Sequence, residues 1–412
     1  MKLRMLLGAA LVVVLGIAAA TAGASGQRHQ ANKLTVWLQT DAQSGWADVV
    51  AAATAQFQKD HPGWSVDVQY QSWGDHLQKF DATLAGGGGP DVIEMGNSEM
   101  TKYMAAGAFA DISSFSFDNK STWLSGLAKS GNYGGKTYGV PYYAGSRVVT
   151  YRTDLFSKAG IKKTPASLSE YVADAKRLAE KNKKKGFSPV YIAGTDWYVA
   201  MGFVYDYGGS IATTSKGKWV GTLNSKKSMQ GLQAFKDFFL ATSQASKTTD
   251  EAHPNPYDVY AQGQAASMIG PSWFSCCVGD AYKPTTAQFV MPGHVKGQPM
   301  PGFLGGSDLA VPVTSSNKNE AADWIKDFTS TTAERSLQAK GNIPNATNLL
   351  GNNVNERAAA RSWFVPTAKH WVDVENGNIL RNMLAQILTN KLSIKQAASS
   401  ASDNIASVLN GS

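Results

Sequence analysis

The sequence predicts an α/β protein built from two domains. Short apolar strands alternate with amphipathic helices along the chain, the pattern of βαβ units and a mostly parallel sheet. The chain has 412 residues, and the roughly 390 left after an N-terminal leader exceed what one hydrophobic core holds. Hydrophobic residues make up 43% and aromatic residues 10%, with 11 Trp, a foldable composition far from the disordered class.

The leader comes first. Met1-Lys2-Leu3-Arg4 is basic, and an apolar run follows from Met5 to about Ala20 before small residues take over, which describes an export signal. Gly8 and Gly16 interrupt the run, which is marginal for a spanning helix of roughly 20 apolar residues; a retained anchor is the alternative. Ala22-Gly23-Ala24 suits ordinary signal peptidase, so residues 1–24 are expected to leave. Position 24 is Ala24 where a lipoprotein would carry its cysteine. The expectation is therefore an exported protein, extracellular or cell-surface associated, with no thioether lipid.

In the mature chain, Leu34–Leu38 reads as a strand and Trp46–Lys59 as a helix, with Trp46, Val49, Val50, Ala53 and Phe57 at helical spacing. His61-Pro62-Gly63 stops that helix. Val66–Tyr70 alternates as a second strand, and a helix over 73–84 ends in the glycines 86–89. Pro90–Met95 is a third strand leading into a helix that carries Met100, Tyr103 and Met104. The four glycines follow a helix and precede a strand, the reverse of a phosphate loop. A second series has strands at 148–151, 189–193 and 266–269. Its helices lie at 167–181, opened by a Ser167–Glu170 capping box, and at 229–239. A strand at 309–313, a helix at 320–329 and a tail helical throughout 379–409 complete the chain. In such sheets, ligands bind beyond the C-terminal strand ends, which singles out Asp41, Asn97 and Ser98.

Charge and cysteines exclude other classes. The net charge of +8 has its largest local source in Lys181–Lys185, a run suited to a helix C-terminus. It lacks the interleaved aromatics of a nucleic-acid surface, so no nucleic-acid partner is expected. Cys276 and Cys277 are the two cysteines, too few for a zinc site; no metal or cofactor is expected. In an oxidising compartment, adjacent cysteines fit either a strained vicinal disulfide or two buried thiols. The vicinal ring is the working expectation.

Five stretches resemble the extracellular solute-binding proteins of carbohydrate ABC transporters, the group that includes maltose-binding protein. They are LTVWLQTD at 34–41, GGGGPDVIEMGNSEMTKYMAAGAFADI at 86–112, YGGKTYGVPYYAGSRVVTYRTDLFSKAGI at 133–161, QGQAASMIGPSWF at 262–274 and FLGGSDLAVPVTSSNKNEAADWIKDF at 303–328. They follow the family's order across nearly the whole mature chain. The resemblance implies two α/β lobes of the periplasmic-binding-protein kind, joined by a hinge and closing on sugar held between them. Residues 32–143 plus 304–355 would form the N-terminal lobe, and 144–303 plus 356–412 the C-terminal lobe.

Carried over one position at a time, Asp41 falls where the family's first-strand carboxylate receives sugar hydroxyls. Asn97, Ser98 and Glu99 fall on a sugar-contacting loop. Asp196, Trp197 and Tyr198 stand at the spacing of an acidic-plus-aromatic contact. Trp273 falls where relatives place a tryptophan under the sugar ring, with Ser272 intervening, and Arg381 aligns with a basic residue on the C-terminal helix. Tyr143, Gly306 and Asp308 complete the candidate set together with Trp73. Trp363 and Trp371 are weaker stacking candidates. Gly145 stands where a maltose binder has a carboxylate, which puts malto-oligosaccharide specificity in doubt. Arg147 reads as the partner of a carboxylate rather than a sugar contact.

These residue types suit a sugar. Flat aromatic rings cover the apolar faces of a pyranose, while carboxylates and amides engage its hydroxyls through charge-assisted hydrogen bonds. The expected activity is capture without chemistry, by a monomer that hands its ligand to membrane permease subunits of an ABC transporter. The chain has no Walker sequence, so the ATPase would be separate. An extracellular glycosidase is the alternative from another class; it would need two carboxylates flanking one bond about 5 to 10 Å apart. A receptor for a different solute, such as a polyamine, is a further alternative.

Overall fold

The computed structural model describes residues 32–359 and 361–411, with the side chains of Ser125 and Cys276 left out. The expected leader lies outside the described residues. Among the described residues, no helix is long and apolar enough to cross a membrane.

Two sheets organise the chain. The first has strands β1 (Asn32–Gln39), β2 (Trp64–Gln71), β3 (Val92–Gly96), β4 (Gly139–Gly145) and, from much later in the sequence, Gly305–Ala310. The second has β5 (Arg147–Arg152), β6 (Ser267–Pro271) and β7 (Thr286–Phe289). With Gly305–Ala310 numbered β8, the first sheet has the order β2-β1-β3-β8-β4. β2 and β3 run parallel to β1, while β8 is antiparallel to both β3 and β4. In the second sheet, β5 lies between β6 and β7 and is antiparallel to both. Parallel bridges Ser188–Ala265 and Tyr191–Met268 extend its β6 edge. Each sheet thus has most strands running one way and a single opposed strand next to the junction of the lobes.

The strand pattern explains the layers. β1 is buried on both faces after its first two residues, as a strand flanked by parallel neighbours should be. Leu34, Val36 and Leu38 face one side, where they pack with Val49, Val50 and Phe57 of the Ala47–Asp60 helix and with Trp324 and Phe328. Trp37, with Ile93 and Met95 of β3, faces the other side against Phe80, Met100 and Tyr103. The period of two therefore sorts one strand into two cores. In the other lobe, Val149, Ile269 and Phe289 from the three strands meet Tyr171, Leu178, Phe203, Phe235 and Phe239 from helices.

The chain crosses between lobes with little slack. Only Ser146 separates β4 from β5. The two-residue strands Gly302–Phe303 and Ser362–Trp363 pair in parallel beside this passage. The Ser146 carbonyl accepts from the Ser272 N–H at 3.0 Å, which ties the loop after β6 to the same junction.

Several elements differ from the sequence reading. The helix after β2 starts at His76 rather than Trp73. Residues 189–193 form bridges rather than a regular strand, because Pro189 removes a ladder donor. β8 begins at Gly305 and ends at Ala310, ahead of the expected 309–313, since Pro312 cannot continue the pairing. The tail is two helices, Ile379–Leu388 and Ile394–Leu409. Asn390 is left-handed there (φ 57°), and a capping box between Ser393 and Gln396 restarts the helix.

Candidate functional site

A cavity of about 490 Å³ opens between the lobes, within the size range of small-ligand pockets. Asp41, Ser44, Trp46, Tyr143, Lys340 and Asn342 form its first-sheet side, and Tyr257, Trp273, Ser275 and Cys277 its second-sheet side. β1 delivers Asp41 directly, since the short Thr40–Gly45 helix begins where that strand ends. The Asp41 carboxylate accepts from the Trp73 indole N–H at 2.6 Å. Trp73 itself is 38% exposed, an open aromatic face anchored at its polar edge.

The aromatic wall is continuous. Trp46 and Tyr143 lie 5.1 Å apart between ring centroids, and Tyr143 meets Trp273 at 6.4 Å with planes 70° apart. Trp273 sits in the 3₁₀ helix Ser272–Cys277 following β6, half-buried, with its ring over Gly145. A Cβ at position 145 would fall 2.7 Å from Trp273 Cε3, so glycine is required where the ring lies. Tyr257, across the cavity from Asp41, has its phenol pushed up chiefly by burial, with Asp258 and Asp41 adding to it.

A second, more polar group occupies the C-terminal lobe. Asp196 caps the Trp197–Asp206 helix by accepting from Val199 N–H at 3.1 Å. Burial pushes its carboxyl well up, reinforced by Glu251 and opposed by Arg147. Arg381 pairs with Glu251 and donates to Asn378 at 3.1 Å. The Arg147 guanidinium lies over the Tyr198 ring, 4.3 Å from its centroid. Glu375 is raised to about 7 by burial, eased by Trp371 and by the hydroxyl of Ser98 from the other lobe.

Other expected residues are taken up elsewhere. Trp197 is 2% exposed, its ring enclosed by Tyr198, Phe303, Trp363 and Trp371. Trp363 and Trp371 are themselves core. Asn97 is buried and donates to the Leu304 carbonyl at 3.2 Å, while Gly306 accepts from the Asn97 N–H and backs onto the Tyr143 carbonyl. Asp308 has no exposed surface. Its carboxyl is pushed up to about 7 by burial, offset only by Ser130. None of Trp197, Trp363, Trp371, Asn97, Gly306 and Asp308 lines the cavity. Arg147, read as a carboxylate's partner, forms no ion pair among the described residues; aromatic rings flank it instead. Cys277 is disulfide-bonded and lines the cavity.

Trp46, Tyr257, Lys340, Asn342, Glu251 and Glu375 were missed. Trp46 was legible in principle: it follows the first strand by one short turn, where cleft residues gather. Its helical spacing marked it as core instead. The other five lie on loops and helix ends whose placement depends on how the lobes dock.

Comparison with known proteins agrees with this arrangement. The family described as "Bacterial extracellular solute-binding protein" matches residues 37–334. The diacetylchitobiose binding protein DasA of Streptomyces coelicolor is 31% identical over 382 residues, covering 90% of this chain and 88% of that one. A galactooligosaccharide-binding protein of Bacillus subtilis is 24% identical over 301 residues, or 71% of this chain and 67% of its own. Among solved structures, the GacH receptor of Streptomyces glaucescens superposes with a TM-score of 0.78 at 21% identity, covering 92% of this chain and 98% of that one. The sugar-binding protein MalE of Xanthomonas citri gives 0.74 at 18% identity, covering 92% and 97%. The two-lobed α/β architecture is shared with both. With a family match over most of its length and a relative above 30% identity along nearly all of it, the chain belongs to the bacterial extracellular solute-binding protein family.

Proposed function

We propose that this protein is an exported receptor that holds a neutral mono- or oligosaccharide between its lobes and delivers it unaltered to an ABC transporter permease. The observation that carries this is the cavity wall. Trp46, Tyr143, Tyr257 and Trp273 offer flat apolar surface from both lobes, while Asp41, Lys340 and Asn342 supply polar groups among them. That combination matches the two chemical faces of a pyranose. The named activities of the diacetylchitobiose and galactooligosaccharide relatives support the same ligand class.

The lobes are taken as residues 32–143 plus 304–355 and 144–303 plus 356–412. They close about the junction at Ser146, and the permease distinguishes loaded from empty receptor by that closure. Export uses residues 1–24 as leader, and the mature receptor acts as a monomer. As the chain has two cysteines, the disulfide at Cys277 is assigned to Cys276, making a small apolar ring at the cavity edge.

The test is titration of the chain from residue 25 with a panel of neutral mono- and oligosaccharides, amino-sugars and polyamines, followed by chromatography of the recovered ligand. A saturating sugar recovered intact supports the receptor. A cleaved sugar assigns it to the glycosidases, and a polyamine response alone removes sugar as the solute.

A further inference from the structure

Among the described residues, Arg147 forms no ion pair. It opens β5 directly after the Ser146 junction, and burial lowers its pKa. Its guanidinium lies 4.3 Å from the centroid of Tyr198 and 5.2 Å from that of Phe303. Its Nε is sealed from solvent with no hydrogen-bond partner among the described residues. A buried donor left in this state is costly, on the order of 1–3 kcal/mol and more for a charged group. Two glycines pack closely against it. A Cβ on Gly305 would stand 3.6 Å from Arg147 Nη1, and one on Gly302 3.5 Å from Arg147 N.

Asp196 stands opposite in the same sense. It is buried, and its side chain has one hydrogen bond among the described residues, on Oδ1 from the Val199 N–H. Arg147 and Asp196 attract each other, yet they form no ion pair. Glu251, the next carboxylate, is already engaged by Arg381. An unpaired donor and an acceptor with a single hydrogen bond therefore belong to the same polar group of the C-terminal lobe. A ligand group carrying an acceptor and a donor side by side would satisfy both.

An anionic group fits poorly, because Asp196, Glu251 and Glu375 outnumber Arg147 and Arg381. An amide supplies the pair without charge: its carbonyl oxygen accepts, its N–H donates, and it is planar, as is the Arg147–Tyr198 stack. Resting on the sugar-receptor reading, we propose that Arg147 and Asp196 form a subsite for the acylamino group of an N-acylated sugar. Arg147 donates to the amide oxygen and Asp196 accepts from the amide N–H.

The test is calorimetric titration with three β-1,4-linked disaccharides: N,N′-diacetylchitobiose, its deacetylated form chitobiose, and cellobiose. The subsite predicts that the diacetylated sugar binds ~10- to 100-fold more tightly than either of the others. Arg147→Lys, which keeps the charge but loses the planar fork, should weaken the diacetylated sugar more than about tenfold and bring its margin over cellobiose within about threefold. Asp196→Asn, which still caps the helix, should erode the same margin, with thermal melts confirming that both variants fold. Equal affinity for acetylated and hydroxyl sugars in the wild type overturns the subsite and leaves the receptor standing. So does an equal loss for all three sugars in Arg147→Lys. No response to any sugar, here or across the wider panel, overturns the receptor reading itself.

Discussion

The ring of Trp273 lies directly on the backbone of Gly145, where an added Cβ would fall 2.7 Å from Cε3 and closer still to Cζ3. One residue ends the first-sheet strand that leads into the junction, the other follows β6 of the second sheet. Any side chain at 145 must push the indole toward the cavity or hold the lobes apart. Gly145 has no positive φ, so the constraint is space rather than backbone strain. Gly145→Ala is expected to weaken sugar binding more than about tenfold, or by ~1.4 kcal/mol, with a small change in thermal midpoint. Calorimetric titration beside a thermal melt measures both.

Two tryptophans should respond in opposite ways. Trp273→Ala removes a half-exposed cavity wall and should cost about 2 kcal/mol or more in binding with little loss of stability. Trp197→Ala empties an aromatic cluster at 2% exposure and should cost about 3–5 kcal/mol in stability. Chemical denaturation and ligand titration of each variant separate the two effects.

Stability should fall as pH rises toward neutrality. Asp308, Glu94 and Glu375 are each raised to about 7, chiefly by burial. A raised acid holds a proton that the unfolded chain has already lost. The stability it contributes is present below its unfolded pKa near 4 and is lost as pH climbs through about 7. Each group contributes at most about 1.4 kcal/mol per pH unit in that window. Carboxylates held low, such as Asp111 at about 2 beside Ser113 and Lys136, act only below about pH 4. Scanning melts should show a midpoint higher near pH 5 than near pH 8, with the slope reduced in Asp308→Asn. A midpoint rising steadily from pH 5 to pH 8 contradicts the assignment.

The proposed Cys276–Cys277 pairing gives a direct chemical expectation. Non-reducing alkylation of the unfolded monomer should add no label, and prior reduction should admit two. Labelling without reduction would contradict the Cys276–Cys277 pairing.

Local periodicity carried most of the fold. β1, with Leu34, Val36 and Leu38 toward one core and Trp37 toward the other, reads as a buried strand, and the Ser167 cap placed a helix within one residue of its observed start. Breaks set by a few residues were harder. The tail looks continuously apolar at helical spacing, and the restart at Ser393 depends on a side-chain cap that competes with a good helical pattern. Within the site, Asp196, Trp197 and Tyr198 show the limit of sequence reasoning. They occupy the first turn of one helix, where a rotation of about 100° per residue separates a capping acid, a core ring and a ring under Arg147. The resemblance located the turn, but lobe packing chose the direction of each side chain. Arg147 was read as the partner of a carboxylate; the rings of Tyr198 and Phe303 flank it instead.

The central claim, that sugar sits between the lobes against Trp273, is tested most directly by calorimetric titration of wild type and Trp273→Ala with the tightest sugar of the panel. The account predicts saturable one-to-one binding for the wild type and a loss of about thirtyfold or more for the variant, with its fold intact by circular dichroism. Undiminished binding by Trp273→Ala would place the sugar elsewhere and contradict the account.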